Sequence, residues 1–492
     1  MPKRVAVIDL GSNSARMAIF ERTSRLGFYI LREYKIKVRL GEGAYENGGV
    51  LQDGAMDKVF YAFSEFKHFL NLYGVNKVLC AGTSALRDAP NSNLFIKRVQ
   101  DKLGLGLKVI DGQMEAFYGG IAAINLLNPL KEATTIDIGG GSTELAKIED
   151  GKIIDVISLN VGTVRLKELF FDKKDIDGAS KFAQKLISEV PSHFHSNNII
   201  AIGGSLRALA NAIMQIKNHP LKLVHNFSYS YKDYGDLIEK IAFTGVLDLK
   251  NFPIKKDRYD TIREGAMIFC TLVKELQAKN IYTSGAGVRE GIFITNLLKP
   301  CVKTKLLKAM PQQINIRFPN NFNPSLRSLQ DRFAKRSNQT TIKYVKELFE
   351  VLKPLHKVDD KYLFELITAA KLYNIGRSVG FYSEHSHSSY LVKNGLNYGY
   401  THEQKSLIAS IIEYQGRQIS DLGEFKDLLP DINDLRWLSF LLGLAKSLSV
   451  SNTVSFKFIN HALHIYGVKN FFMVKDNIKK LAKPTIFAIT FD

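Results

Sequence analysis

The stretch 133-ATTIDIGGGSTELAKIE-149 limits the fold more than any other part of the chain. An apolar, β-branched run ends in Asp137 and meets three glycines, and Ser-Thr-Glu then leads into a second alternating run. A Walker loop or a dinucleotide fingerprint opens a helix after its glycines. Here the residues after the glycines predict a second strand, closed by the turn pair Asp150-Gly151, and so a β-hairpin with a tip nearly free of side chains. Such a tip lets backbone N–H groups approach an anion closely, and Asp137 stands where a carboxylate can hold a cation against it. An ordinary hairpin with a glycine-rich turn is the alternative from this stretch alone.

The chain holds a second copy. Residues 5-VAVIDLGSNSARMAIFE-21 match the first stretch at one constant offset, pairing Ile8 with Ile136, Asp9 with Asp137, Gly11 with Gly139, Ser14 with Ser142, Ala18 with Ala146 and Glu21 with Glu149. Two phosphate-type hairpins imply a duplicated domain with the ligand between the copies. The pattern after each is also similar. A helix is predicted over 55–73, a strand from 77, helices near 92–103 and 113–127, and a strand at 107–110 between them. In the second copy strands are predicted over 152–159 and 198–204, with helices at 164–170, 175–190 and 205–216.

At 492 residues the chain is too long for one core. No segment approaches the roughly 20 apolar residues of a membrane span. The N-terminal MPKRVAVIDL enters a strand with no signal-peptide pattern. Cys80, Cys270 and Cys301 lack CxxC spacing, which argues against a disulfide framework or thiolate zinc site and makes the cytoplasm the expected compartment. The net charge of +19 fits either generic solubility or a field that attracts polyanions. No nucleic-acid partner is expected, because no interleaving of aromatic and basic residues supports one. A phosphate-rich small molecule or a polyphosphate chain remains.

The pairing of DLGSNS with DIGGGSTE resembles the actin, sugar-kinase and Hsp70 superfamily. Within it, TSALRDAPN, DGQMEA, DIGGGSTEL and TSGAGVREG resemble the exopolyphosphatase and guanosine pentaphosphate phosphatase (Ppx/GppA) family over about residues 4–300. The resemblance implies an α/β fold in which two duplicated ribonuclease-H-like (actin-like ATPase) domains, 1–125 and 126–305, close over a magnesium-bound phosphate chain. A mostly helical HD-like domain, 306–450, and a small α+β segment, 451–492, follow. The implied reaction removes a terminal phosphate, with water as acceptor, from polyphosphate, guanosine pentaphosphate or both. Guanosine tetraphosphate is a further expected ligand, and a homodimer is common among the long members.

Hydrolysing a phosphoanhydride requires charge neutralisation and a positioned water. Ser12, Asn13 and Ser14 offer phosphate donors from one side, and Gly139, Gly140, Gly141, Ser142 and Thr143 from the other. Asp9 and Asp137 are candidates for holding magnesium directly or through its waters. Glu144 is a candidate for contacting the metal or the water, or else a solvent-facing strand residue. Glu115 opens a helix expected to reach the tips, where a carboxylate can deprotonate water. The family has two adjacent glutamates there; Met114 replaces the first, and the second, its base, is retained as Glu115. Arg87 is the expected phosphate clamp, oriented by Asp88. Gly203-Gly204-Ser205 and Gly285-Ala286-Gly287 line the wall for the distal substrate or are helix-start turns. Arg258, Arg263 and Arg289 are candidates for anionic contacts, with an ordinary surface pair as the alternative at Arg289.

Beyond residue 300, segment 311–324 has the composition of a linker, and helices are predicted over 339–356, 360–374 and 401–415. The stretch 368–392 aligns with the HD region, but Tyr373-Asn374 replaces the metal-binding His-Asp pair, and His385 and His387 lack a carboxylate partner. The domain is therefore expected to be a metal-free helper. Its lysines, dense between Lys303 and Lys346, fit either a polyphosphate rim or a solvated face. Two rival activities remain at this stage, a superfamily phosphotransferase or kinase, and a non-catalytic sensor of the guanosine nucleotides.

Overall fold

The computed structural model describes residues 3–299, 316–334 and 337–492. Cys301, Lys303 and the expected boundary at 305/306 lie outside them. The chain divides into two compact units, Met1–Asn323 and Pro324–Asp492.

The first unit holds the duplication. Its first half runs β1 (Arg4–Leu10), β2 (Ser14–Arg22), β3 (Phe28–Lys37), α1 (Asp53–Leu72), β4 (Lys77–Gly82), α2 (Ser84–Arg87), α3 (Ser92–Leu103), β5 (Leu107–Val109) and α4 (Gly112–Leu126). Its second half runs β6 (Glu132–Ile138), β7 (Thr143–Glu149), β8 (Lys152–Leu159), α5 (Thr163–Leu169), α6 (Ile176–Ile187), β9 (Asn198–Ile202), α7 (Gly204–Ile216), β10 (Ser228–Ser230), α8 (Tyr231–Phe243), α9 (Ile262–Glu275), β11 (Asn280–Thr283) and α10 (Val288–Leu298).

The strand orders show the repeat. The first sheet is β3-β2-β1-β4-β5; the second, read from β8, is β8-β7-β6-β9-β11, with β10 added at the edge. In both, an antiparallel hairpin leads into parallel strands, β1 beside β4 and β6 beside β9. The register repeats too: Asp9 faces Arg16 across one hairpin, and Asp137 faces Glu144 across the other. Each tip closes with the same bond, Gly11 N to Ser14 O at 3.2 Å and Gly139 N to Ser142 O at 3.0 Å. The central strands are buried on both faces, as expected where helices cover a sheet on both sides.

Residues 28–37 form a single strand, β3, after which glycine-rich residues 40–49 turn away as a loop. The segment expected as a linker is docked where it is described: Asn125 bonds both Ile316 O and Phe318 N, and both of those side chains are buried. Backbone groups satisfied this way anchor a segment that composition alone marks as loose.

The second unit is mainly helical: α11 (Pro324–Phe333), α12 (Gln339–Val351), α13 (Lys353–His356), α14 (Leu363–Leu372), α15 (Glu384–Gly395), α16 (His402–Tyr414) and α17 (Ile432–Leu448). A three-stranded sheet follows, β12 (Ser455–Ile459), β13 (Ala462–Tyr466) and β14 (Ala488–Phe491), with α18 (Phe472–Lys479) between β13 and β14. The helix predicted over 339–356 breaks at Leu352 because Pro354 begins the next turn and supplies no N–H. Leu348, Phe349, Leu366, Ile408, Leu438 and Leu442 belong to one fully buried core. Tyr373 OH lies 3.3 Å from Thr341 Oγ1, and Asn374 exchanges amide hydrogen bonds with Asn338. The Lys446 ammonium lies over the Tyr373 ring and donates to Gln415 Oε1. His385 and His387 are on α15; burial lowers the basicity of His385. No helix among the described residues is long and apolar enough to cross a membrane.

Candidate active site

A cleft of about 370 Å³ opens in the first unit, lined by both hairpin tips and by the turns that start α7 and α10. Most of the residues expected at a site meet in it. Asp9, Ser12, Asn13, Ser14, Glu115, Asp137, Gly139, Gly140, Ser142, Gly203, Gly204, Ser205, Gly287, Arg258 and Arg289 all line its wall.

The tips touch. A Cβ added to Gly140 would stand 2.8 Å from Ser12 Cβ, and one added to Gly141 would stand 2.0 Å from Tyr45 Oη and 2.2 Å from Ser84 Oγ. Only glycine allows the two loops to come this close. Gly203, at φ 100°, is needed for a similar reason: any side chain there would press on Ile138 O and Asp137 Oδ1.

Glu115 sits in the first turn of α4, whose start is fixed by Asp111 accepting from Met114 N at 2.7 Å. Arg87, at the end of α2, reaches the same point. Its Nη1 is 3.3 Å from Glu115 Oε2 and its Nη2 donates to Ser142 Oγ at 3.2 Å. Arg87 and Glu115, singled out separately in the sequence, are thus in direct contact. Glu144 is buried, not solvent-facing, and accepts from Ser158 Oγ at 2.9 Å. Thr143 is buried behind the tip, its hydroxyl donating to Val161 O.

Arg87, Gly141, Thr143, Glu144, Arg263 and Gly285 are not among the residues that line the cleft. Arg263 does not line the cleft, and its guanidinium stacks over Phe171 at 4.9 Å. Gly285 lies behind the wall, its N–H donating to His225 Nδ1 and its carbonyl accepting from Arg207 at 2.8 Å. Arg289 is no ordinary surface residue: it is buried and pairs with Glu33 at 2.9 Å.

The charges are arranged in two sets. Burial raises the pKa of Asp9, lifts Asp137 to about 6 and Glu144 to about 8, and raises Glu115 well above the carboxylate range, with help from Glu144 and Asp9. The cations show the opposite strain. Burial and neighbouring arginines lower Arg16 to about 10; burial, Arg258 and Arg16 lower Lys35 to about 8. Arg207 is lowered by burial and by Arg289. Burial is the largest cause of each of these shifts, and it outweighs the favourable charges that Asp9 and Asp137 exchange with Arg16 and Arg207.

Arg16, Lys35, Lys37 and Arg207 were not singled out from the sequence. Arg16 was within reach, since the hairpin alignment places it where the second copy has Glu144. Lys35 and Lys37 alternate along β3 with Glu33, a period-2 signal that sets them on one face. Arg207 carries no such signal, because only the turn at Gly203 brings it to the cleft.

The family model of the Ppx/GppA phosphatase family matches residues 18–300, and that of Ppx/GppA phosphatase domain III matches residues 325–457. The chain belongs to the Ppx/GppA phosphatase family. A solved Ppx/GppA family member from Aquifex aeolicus is 27% identical, with a TM-score of 0.53 over 62% of this chain and 100% of that one. A second Aquifex aeolicus structure, described as a PPX-GPPA enzyme, is 28% identical, with a TM-score of 0.51 over 60% and 99%. An exopolyphosphatase from Cytophaga hutchinsonii shares the fold at 23% identity and a TM-score of 0.54, over 61% and 99%. For this Ppx/GppA chain the reaction class is phosphoanhydride hydrolysis. The two duplicated sheets are the actin-like part of the family fold, and domain III marks the long form.

Proposed function

We propose that the cleft hydrolyses the terminal phosphoanhydride of inorganic polyphosphate, of guanosine pentaphosphate, or of both, in the presence of magnesium. The observation that carries this reading is one cleft that gathers Asp9, Asp137 and Glu115 with Arg16, Lys35, Arg207 and Arg258 around two glycine-rich tips. A polyphosphate tail would meet the cations of the wall, and Asp9 and Asp137 would hold a divalent cation bound with it.

Among the described residues no group of three or more His, Cys, Asp or Glu side chains is arranged to hold a metal ion. Asp9 and Asp137 line the cleft, and Glu144 faces Asp137 across the second hairpin; these would hold a hydrated magnesium ion, which takes one or two carboxylates and keeps much of its water shell. When bound, such an ion would neutralise charge on the phosphate chain and on the carboxylates.

The protein groups do the remaining work. Ser12, Asn13, Ser14, Ser142 and the N–H groups of the tips are the donors for the terminal phosphoryl oxygens. Arg87 adds a guanidinium at the same point. Glu115 takes the proton of a water whose oxygen bonds to the terminal phosphorus as the bridging P–O bond breaks. Burial favours protonated Glu115, whereas Arg87 beside it favours the ionised form a base requires. Distal phosphates or the nucleotide extend along Arg16, Lys35, Arg207 and Arg258.

The test is phosphate release with magnesium, comparing long-chain polyphosphate with guanosine pentaphosphate. Release of free phosphate from either is expected. A phosphorylated acceptor, or tight binding without release, would overturn the reading.

A further inference from the structure

We propose that Arg165 is a positioning residue that keeps Arg87 aimed at the reacting phosphate by occupying Asp88. The inference rests on the hydrolytic reading above and adds a residue to it.

Arg165 is in the first turn of α5, on the second half of the duplicated unit. Its backbone N–H donates to Gly140 O at 3.1 Å and its Nε to Gly141 O at 2.8 Å, so it grips the second tip twice. Its Nη2 donates to Asp88 Oδ2 at 2.7 Å, on the first half. Its guanidinium also lies 4.4 Å from the ring centroid of Tyr45, whose hydroxyl is 3.0 Å from Ser12 Oγ in the first tip. One side chain thus joins the second tip to the carboxylate next to Arg87 and, through Tyr45, to the first tip.

Asp88 is the decisive member. One of its oxygens is taken by Arg165 at 2.7 Å, while the other reaches Arg87 Nε only at 3.7 Å. Arg87 is held by several long contacts, at 3.2 Å to Ser142 Oγ and 3.3 Å to Glu115 Oε2 and Ile110 O. A carboxylate and a guanidinium left to themselves prefer a short, two-point pairing. Without Arg165, Asp88 is free to form that pairing with Arg87 and draw its fork away from Ser142 and Glu115. Arg165 prevents this by competing for the carboxylate. Because its own anchors are the carbonyls of the second tip, the competition operates only when the two tips are together.

The idea carries a sign that a merely structural role does not. In phosphate-release assays Arg165→Met is expected to lower kcat by roughly 10–100-fold, the scale of a displaced positioning group. Asp88→Asn is expected to cost less, and the double variant Arg165→Met/Asp88→Asn to recover at least about threefold over Arg165→Met, since the competing carboxylate is gone. Arg165→Lys, which keeps the charge but not the fork, carries the same test should Arg165→Met fail to fold, and melting curves of all variants report that. Wild-type rates in Arg165→Met and Arg165→Lys, or a double variant no faster than the single one, would overturn this inference alone. Absence of phosphate release by the wild-type protein would overturn the functional reading, and this inference with it.

Discussion

Glu115 and Arg87 are neighbours that need each other in opposite ways. The carboxylate is buried and disfavoured as an ion, and the guanidinium 3.3 Å away is the nearest protein group that favours it. Glu115→Gln removes the proton acceptor at nearly constant shape, so kcat for phosphate release should fall by about 10²–10⁴-fold with the melting temperature preserved. Gly141→Ala tests the contact of the tips. Its new Cβ would collide with Tyr45 Oη and Ser84 Oγ, and the cost should be about 1–3 kcal/mol in denaturant unfolding. Tyr45→Phe removes the nearest colliding atom and should restore part of that loss. Nothing in the string GGG distinguishes Gly141 from its neighbours; the Tyr45 loop, brought in from elsewhere in the chain, does.

At the scale of elements, the two hairpins are the same device carrying different charge. Asp9 faces Arg16 in one, whereas Asp137 faces Glu144 in the other. The second hairpin therefore concentrates buried acid. Carboxyls of an unfolded chain titrate near about 4. With Asp137 raised to about 6 and Glu144 to about 8, the stability these groups contribute is present below about pH 4 and is lost as pH rises through both values. Thermal melts in chelator should thus show a falling melting temperature between about pH 5 and pH 8. Glu144→Gln should flatten the upper part of that fall. The edge strand β3 makes a separate contribution. Lys35 and Lys37 face the cleft, so Lys35→Met should raise KM for polyphosphate and weaken the dependence of KM on salt. Those positions were legible as an alternating strand, but not as a wall, because the strand on which they alternate had first to be placed at the edge of a sheet facing the turn that starts α7.

The whole molecule consists of two units, each with its own core. Solved relatives are matched over 99–100% of their length by 60–62% of this chain, so proteins about the size of the first unit exist by themselves. A chain cut after Asn323 should therefore fold cooperatively and release phosphate from short substrates, measured by calorimetry and a phosphate assay. A fragment that neither melts cooperatively nor hydrolyses would show that the second unit is required for folding. Residues 316–323 belong in that fragment, since Asn125 holds the backbone at Ile316 and Phe318.

The duplication and the two hairpins were legible in the sequence, which also marked Asp9, Glu115, Asp137 and Arg87 as candidates for the chemistry. Those features depend on strand alternation, turn residues and motif spacing, all of which are local or repeat at one offset. It did not show the basic wall, the placement of Arg263 over Phe171, or the grip of Arg165 on Asp88 and the second tip. Those depend on which surfaces meet when two distant hairpins close on each other. A guanidinium pairs with whatever carboxylate or carbonyl the fold delivers within about 3 Å, and one-dimensional spacing does not encode that distance.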